Sequence, residues 1–316
     1  MNVLLSSASN KVPLLKALQS AVKRIDEKGI VTAGDISCHV LTRHLCDEFW
    51  QMPPTIESNT DEIISELKRR NITHVLPSRD GELLFWSRLK DTLKKVDIHV
   101  IVSDKSAVEL CLDKLKFGQY NLASIIPTYN TISEARDHNR TSQPSRYVVK
   151  ERFGAGSHSI GLNLNENEAI KHANTLCTPI FQPFKKGLEI SVDAWLSNNH
   201  VVKAAVCRVR ELVINGESQI TYTLPNGPFV TQVTHTLSAL GLSGPVVLQG
   251  IITGDELHII ECNSRFGGAS TLGIKAGVDS LYWSLSESMG KDIHALPVEL
   301  ASHKITQIRA ATDYYL

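Results

Sequence analysis

Residues Glu256 to Gly268 read ELHIIECNSRFGG, an apolar strand that ends in a carboxylate, an amide and an arginine. Positions i, i+2 and i+4 of an extended chain lie on one face. Glu261, Asn263 and Arg265 can therefore aim at a single ligand. The preceding apolar run, VVLQGII, is a hairpin partner that brings Gln249 within reach of them.

Working back along the chain, RYVVKERFGAGSHSIGL places Lys150 on a strand face with Val148, just before a turn containing Gly154, Gly156 and Gly161. Glycines let backbone N–H groups approach an anion, and Ser157 and Ser159 add donors. This predicts a phosphate cradle with a lysine beside it. It is not a Walker loop, because no Gly-Lys-Ser/Thr follows and the next element reads as a strand. A flexible hairpin is the plain alternative. In IFQPFKKGLEISVDAWL, the crossing Gln182, Pro183, Phe184 and Lys185 can offer backbone groups to an adenine edge, and the Glu189 carboxylate can accept from both ribose hydroxyls. AAVCRVREL then sets Arg208 and Arg210 on one strand face, suited to an anionic substrate or a transferring phosphoryl group; the alternative is a solvated edge strand. A nucleoside triphosphate brings Mg²⁺, which takes one or two carboxylates with phosphate oxygens and waters. Glu261 can bridge two such ions, Asn263 and Gln249 can reach them, and Arg265 falls where a γ-phosphate would sit.

The totals agree with a soluble multi-unit protein. At 316 residues the chain is long for one core. Lysine plus arginine equals aspartate plus glutamate at 33 each, so no global field favours nucleic acid or an anionic membrane. The N-terminal run lacks a basic leader and reads as a first strand, which predicts a cytoplasmic location. Ser218 to Gly254 carries no charged side chain, yet Pro225, Pro228 and Pro245 break it up, so no spanning helix is expected. The six cysteines form no CxxC pair, which fits free thiols in a reduced compartment.

The first hundred residues alternate short apolar runs (NVLLSS, IVTAGD, THVLP, IHVIV) with amphipathic stretches, the first of them opened by Pro13. That pattern predicts a parallel sheet with helices on both faces. Asn59 with Glu62 resembles a capping arrangement. The first strand-to-helix turn, SSASNKV, has no glycine, which argues against a dinucleotide site. Asp80 and Glu82 follow a strand end, where they either cap a helix or serve a substrate or domain contact.

The ordered set of lysine, glycine loop, hinge glutamate, arginine pair and Glu-x-Asn-x-Arg resembles the ATP-grasp superfamily, specifically single-copy proteins like the synthetase half of the carbamoyl phosphate synthase large subunit. The resemblance covers nearly the whole chain. It implies an α/β protein with a Rossmann-like pre-ATP-grasp domain (1–104), a small lobe with the glycine-rich loop (105–181) and a C-terminal lobe with the metal site (182–316). LDK places Lys114 at the family's first nucleotide lysine and VVK places Lys150 at the second; Gln182 to Lys185 match the adenine hinge and Glu189 the ribose carboxylate. Gln249, Glu261 and Asn263 match the metal ligands, with glutamine where many relatives have a carboxylate, and Arg265 matches the phosphate-facing arginine. The implied cofactors are ATP and one or two Mg²⁺, with Mn²⁺ able to substitute. The implied reaction activates a carboxylate by phosphorylation and hands it to an amine, with Arg208, Arg210 and Arg265 neutralising charge. A carboxylating or kinase-like enzyme and a nucleotide-binding regulator without turnover are the alternatives. The implied partners are a small carboxylate and a small amine, and a homodimer is left open.

Overall fold

The computed structural model describes residues 1–138, 145–154, 159–224, 227 and 229–315. Alternation of apolar runs and amphipathic helices builds the first layer. Its elements are β1 (Asn2–Ser6), α1 (Val12–Ile25), β2 (Ile30–Asp35), β3 (Glu48–Gln51), α2 (Thr60–Arg69), β4 (His74–Pro77), α3 (Asp80–Lys94) and β5 (His99–Val100). The strands are parallel in the order β3-β2-β1-β4-β5. Leu14, Leu15, Leu18 and Val22 of α1 cover one face, while Ile63, Leu67, Leu83 and Trp86 of α2 and α3 cover the other. Sequence reading missed β3, because EFWQ is short, has a single fully buried side chain and lies at the sheet edge. It also expected Asn59 to cap α2. The Asn59 amide instead donates to the Pro54 carbonyl at 2.9 Å, and the helix start has no side-chain cap.

Next come α4 (Lys105–Leu112), α5 (Lys114–Gly118), α6 (Ile132–His138), β6 (Tyr147–Glu151), β7 (Gly161–Leu164), α7 (Glu166–Ala173) and β8 (Pro179–Pro183). The three strands form an antiparallel sheet, β7-β6-β8. Tyr147, Val149 and Phe181 pack on Ala135, Ala169 and Ala173 of α6 and α7. By strand alternation, Lys150 and Gln182 project from the opposite face.

The third sheet contains β9 (Leu188–Leu196), β10 (Val202–Ile214), β11 (Glu217–Thr223), β12 (Gly244–Thr253), β13 (Glu256–Asn263) and β14 (Thr306–Ile308). Its order is β13-β12-β9-β10-β11-β14, antiparallel throughout. Ile190, Val192, Val209 and Leu248 bury one face under α8 (Val230–Ala239) and under Ala107 and Phe117 of α4 and α5. Within 105–181, α4 and α5 pack on the six-stranded sheet rather than on the small one. An amphipathic pattern says that a helix has an apolar face, not which sheet receives it. The chain then crosses to the small sheet: Ile126 donates to the Ile259 carbonyl at 2.8 Å, and Tyr129 and Phe181 exchange backbone bonds of 2.9 Å. Finally α9 (Thr271–Lys275) and α10 (Ser280–Ser288) return to the first layer, where Leu281 and Leu285 join Leu14, Leu15 and Leu18 in one core. No helix among the described residues is long and apolar enough to cross a membrane.

Candidate functional site

The second face of the six-stranded sheet is polar, and its register writes the site out row by row. Gln249 pairs with Glu261 on one side and Ser191 on the other, while Arg208 pairs with Ser191 and Thr223. One row across the sheet therefore reads Glu261, Gln249, Ser191, Arg208, Thr223. The neighbouring row carries Asn263, Val247 and Asp193. The shared face expected for Glu261 and Asn263 is present, although Arg265 lies two residues past the end of the strand.

Lys150 comes from the small sheet. It is 5% exposed, and among the described residues its ammonium has no hydrogen-bond or ion-pair partner. Burial lowers its pKa; Glu261 acts in the opposite direction and Lys114 adds to the lowering. A buried lysine without a partner is costly unless something anionic joins it. Lys114 reaches the same turn, with its ammonium 2.5 Å from the Gly154 carbonyl. Gly154 has a φ of +112°, a backbone region that L side chains avoid. Gly156 and Ser157 lie outside the described residues.

A residue that sequence reading passed over ties together the segments that carry these two lysines. Asp113 caps α5 by accepting from the backbone N–H groups of Leu115 and Lys116, and it also accepts two bonds from Arg152, at 2.8 and 2.6 Å. Burial would raise the Asp113 pKa, but Arg152 and the two N–H groups lower it on balance. The Lys114 N–H bonds the Arg152 carbonyl at 3.2 Å, so the start of α5 is locked to the end of β6. The signal was the aspartate of LDK at a helix start. Its partner lies 39 residues away and left no mark.

Of the candidate hinge residues, Gln182 and Pro183 end β8, and Phe184 and Lys185 follow it. Gln182 is buried and donates to Thr128 Oγ1 at 2.8 Å, and the Phe184 N–H donates to the Arg146 carbonyl at 2.8 Å. Gly187 follows as a required glycine, since a Cβ there would stand 2.1 Å from the Ile252 carbonyl.

The arginines are all engaged. Arg210 pairs with Glu189 and donates to Gln249 Oε1 at 3.2 Å and to the Gly216 carbonyl at 2.8 Å. It thus ties the ribose candidate to a metal-ligand candidate. Arg208 is no solvated edge residue: it is buried, and its Nε donates to Asp193 at 2.8 Å. Among the described residues its Nη1 is a buried donor without a partner. Asp193, also missed by sequence reading, accepts from Ser270 Oγ at 2.6 Å as well. Arg265 donates twice to Asp80, at 2.7 and 2.6 Å, and approaches Asn263 Oδ1 at 3.5 Å. Asp80 thus makes the domain contact, while Glu82 is fully buried and caps α3 from inside.

Glu261, Gln249 and Asn263 supply one carboxylate and two amide oxygens. Among the described residues no group of three or more histidine, cysteine, aspartate or glutamate side chains is placed to hold a metal by protein alone. The donor set fits a hard cation that completes its shell with phosphate oxygens and water, which is the habit of magnesium.

The sequence model of the ATP-grasp domain matches residues 103–269, and that of the PylC-like N-terminal domain matches residues 3–101. No curated protein matches the chain. Among solved structures, biotin carboxylase from Campylobacter jejuni superposes with a TM-score of 0.72 at 16% identity, over 95% of this chain and 73% of the other. N5-carboxyaminoimidazole ribonucleotide synthetase from Thermus thermophilus gives 0.68 at 15%, over 95% and 80%. Phosphoribosylglycinamide synthetase from Anaerococcus prevotii gives 0.66 at 18%, over 93% and 76%. At these identities the likeness concerns the fold. Neither it nor the family models single out the carbamoyl phosphate synthase branch.

Proposed function

The chain belongs to the ATP-grasp family, and from that premise we propose that it joins a small carboxylate to a small amine, using ATP and magnesium through an acyl phosphate. The carrying observation is Lys150, a buried lysine that has no hydrogen-bond or ion-pair partner among the described residues and feels the charge of Glu261. An anionic ligand bound between them would relieve the burial of the lysine, and a triphosphate has the charge to do so.

In this reading Lys114 and Lys150 hold the phosphates, and Gln182 to Lys185 receive the adenine edge. Glu189, held by Arg210, accepts from the ribose hydroxyls. Glu261, with Asn263 and Gln249, would hold magnesium, which when bound adds positive charge against the phosphates. The γ-phosphoryl group passes to a carboxylate oxygen and ADP leaves. The amine then attacks the acyl carbon, phosphate departs, and the amine loses a proton. The chain's own share is placement and neutralisation: Arg208 Nη1 is an unused donor on this face, and Arg265 stands at its margin.

The test is a screen of paired acids and amines for ADP release. The correct pair accelerates release over ATP alone and yields a product of acid plus amine minus water. A phosphorylated product without amine incorporation would mean a kinase-like enzyme, turnover dependent on bicarbonate a carboxylating one, and tight ATP binding without stimulated release a regulator.

A further inference from the structure

The carboxyl edge of the five-stranded sheet holds two cations in places that disfavour them. Lys11 is the residue before α1 and Arg79 the residue before α3. A helix start carries partial positive charge, so a cation there is repelled and an anion welcomed. The first turn of α1 has no acidic side chain. Among the described residues neither Lys11 nor Arg79 has an ion-pair partner. The Lys11 ammonium is spent on the Ser7 carbonyl at 2.6 Å and on Ser78 Oγ at 3.0 Å, and Arg79 makes only a 3.5 Å contact from Nε to Ser7 Oγ.

The carboxylates nearby are already committed. Asp80 takes both bonds from Arg265. Asp35 accepts the Ser9 and Ser37 N–H groups. Glu82 accepts from the Ser78 and Arg79 N–H groups, Trp86 Nε1 and Ser6 Oγ. Each is held by its own partners, and among the described residues none comes within ion-pair distance of Lys11 or Arg79. Burial lowers the Lys11 pKa; Glu82 and Asp35 oppose this, whereas Arg265 and Arg79 strengthen it, so three cations converge here. The turn that presents Lys11 is itself strained, with Ser7 and Ser9 at φ of +53° and +47°. Arg265 links the cluster to Asn263, and so to the polar face that carries Glu261.

We propose that Lys11 and Arg79 form the anchoring site for an anionic group, a carboxylate or a phosphate ester, on the substrate that is joined. The site lies apart from the two lysines of the nucleotide cleft and selects among small molecules by charge at the end remote from the reacting atoms. The assignment rests on the ligase reading, which makes this edge a substrate site.

Calorimetry tests it with Mg-AMPPNP saturating the nucleotide cleft, so that added anions cannot bind there. The probes are inorganic phosphate, succinate and glutamate. Wild-type protein is expected to bind at least one of them saturably; Lys11→Met and Arg79→Met each weaken that binding tenfold or more and leave AMPPNP affinity unchanged. Phosphate alone would identify a phosphate ester, and succinate or glutamate alone a carboxylate. Arg79 is exposed, and its replacement keeps the test sound if the Lys11 variant, which loses the bonds to Ser7 and Ser78, misfolds. No saturable binding by the wild type, or undiminished binding in both variants, would overturn the proposal. Absence of AMPPNP binding would instead remove the ligase reading, and the anion titrations run without nucleotide would still decide the role of Lys11 and Arg79.

Discussion

Lys150 illustrates how a single side chain carries both chemistry and cost. The residue is buried, its ammonium has no partner among the described residues, and nucleotide is the partner proposed for it. Lys150→Ala is expected to weaken Mg-ATP binding at least tenfold, about 1.4 kcal/mol or more, which calorimetry measures. Unchanged affinity would detach this lysine from the phosphates. Glu261→Ala is expected to abolish turnover while circular dichroism and Tm report an intact fold, because the carboxylate faces the cleft rather than a structural partner; a variant retaining a tenth of the rate would contradict this. Asp193 gives the contrasting case. Both it and Arg208 are buried, so Asp193→Ala leaves an uncompensated guanidinium and is expected to cost about 3–5 kcal/mol, read from the urea midpoint. Lys150, Glu261, Asn263 and Gln249 were legible in sequence because strand alternation and a glycine turn are local patterns. Asp113, Asp193 and Lys11 were not, since their meaning depends on partners that only folding brings near, or on the lack of one.

Among the elements, the junction of α5, the crossing segment and β8 is the tightest. Gly118 ends α5 where a Cβ would fall 1.7 Å from Thr128 Oγ1 and 3.0 Å from the Thr128 backbone nitrogen. Thr128 Oγ1 in turn accepts from Gln182, which is proposed to meet the adenine edge. Gly118→Ala must displace that threonine, and is expected to destabilise by about 1–3 kcal/mol, as overpacking does, and to weaken nucleotide binding together with stability. A variant with wild-type urea midpoint and affinity would show that the junction yields freely. The sequence announced the helices of the first layer and several long strands through periodicity, and it foretold the Gln249 to Glu261 hairpin. It gave no notice of β3, four residues at an edge, and it misread Asn59 because the same side chain serves a preceding turn as readily as a helix start.

For the whole molecule, the docking of α10 on the first layer offers a pH-sensitive seam. His74 Nε2 lies 2.7 Å from Ser288 Oγ of α10, and its ring stacks on His99 at 5.3 Å. Burial, then the His99 ring and the N-terminal ammonium, push its pKa down to about 4 from 6.5. The unfolded chain thus binds the proton more readily than the folded one. Stability from this residue is intact above pH 6.5 and falls as the pH drops toward 4, by about 3 kcal/mol at most. Urea midpoints between pH 7 and 4 should show that slope, and His74→Gln should flatten it; an equal slope in the variant would assign it elsewhere.

The same seam bears on how the protein is made. Leu14, Leu15 and Leu18 share a core with Leu281 and Leu285, so the first layer emerges from the ribosome with an apolar face whose cover is synthesised much later. At about 5–20 residues per second that face waits on the order of 10–50 s, long enough to meet other nascent chains. A chaperone that holds apolar surface during synthesis should therefore raise the yield of folded protein far more than one added after release.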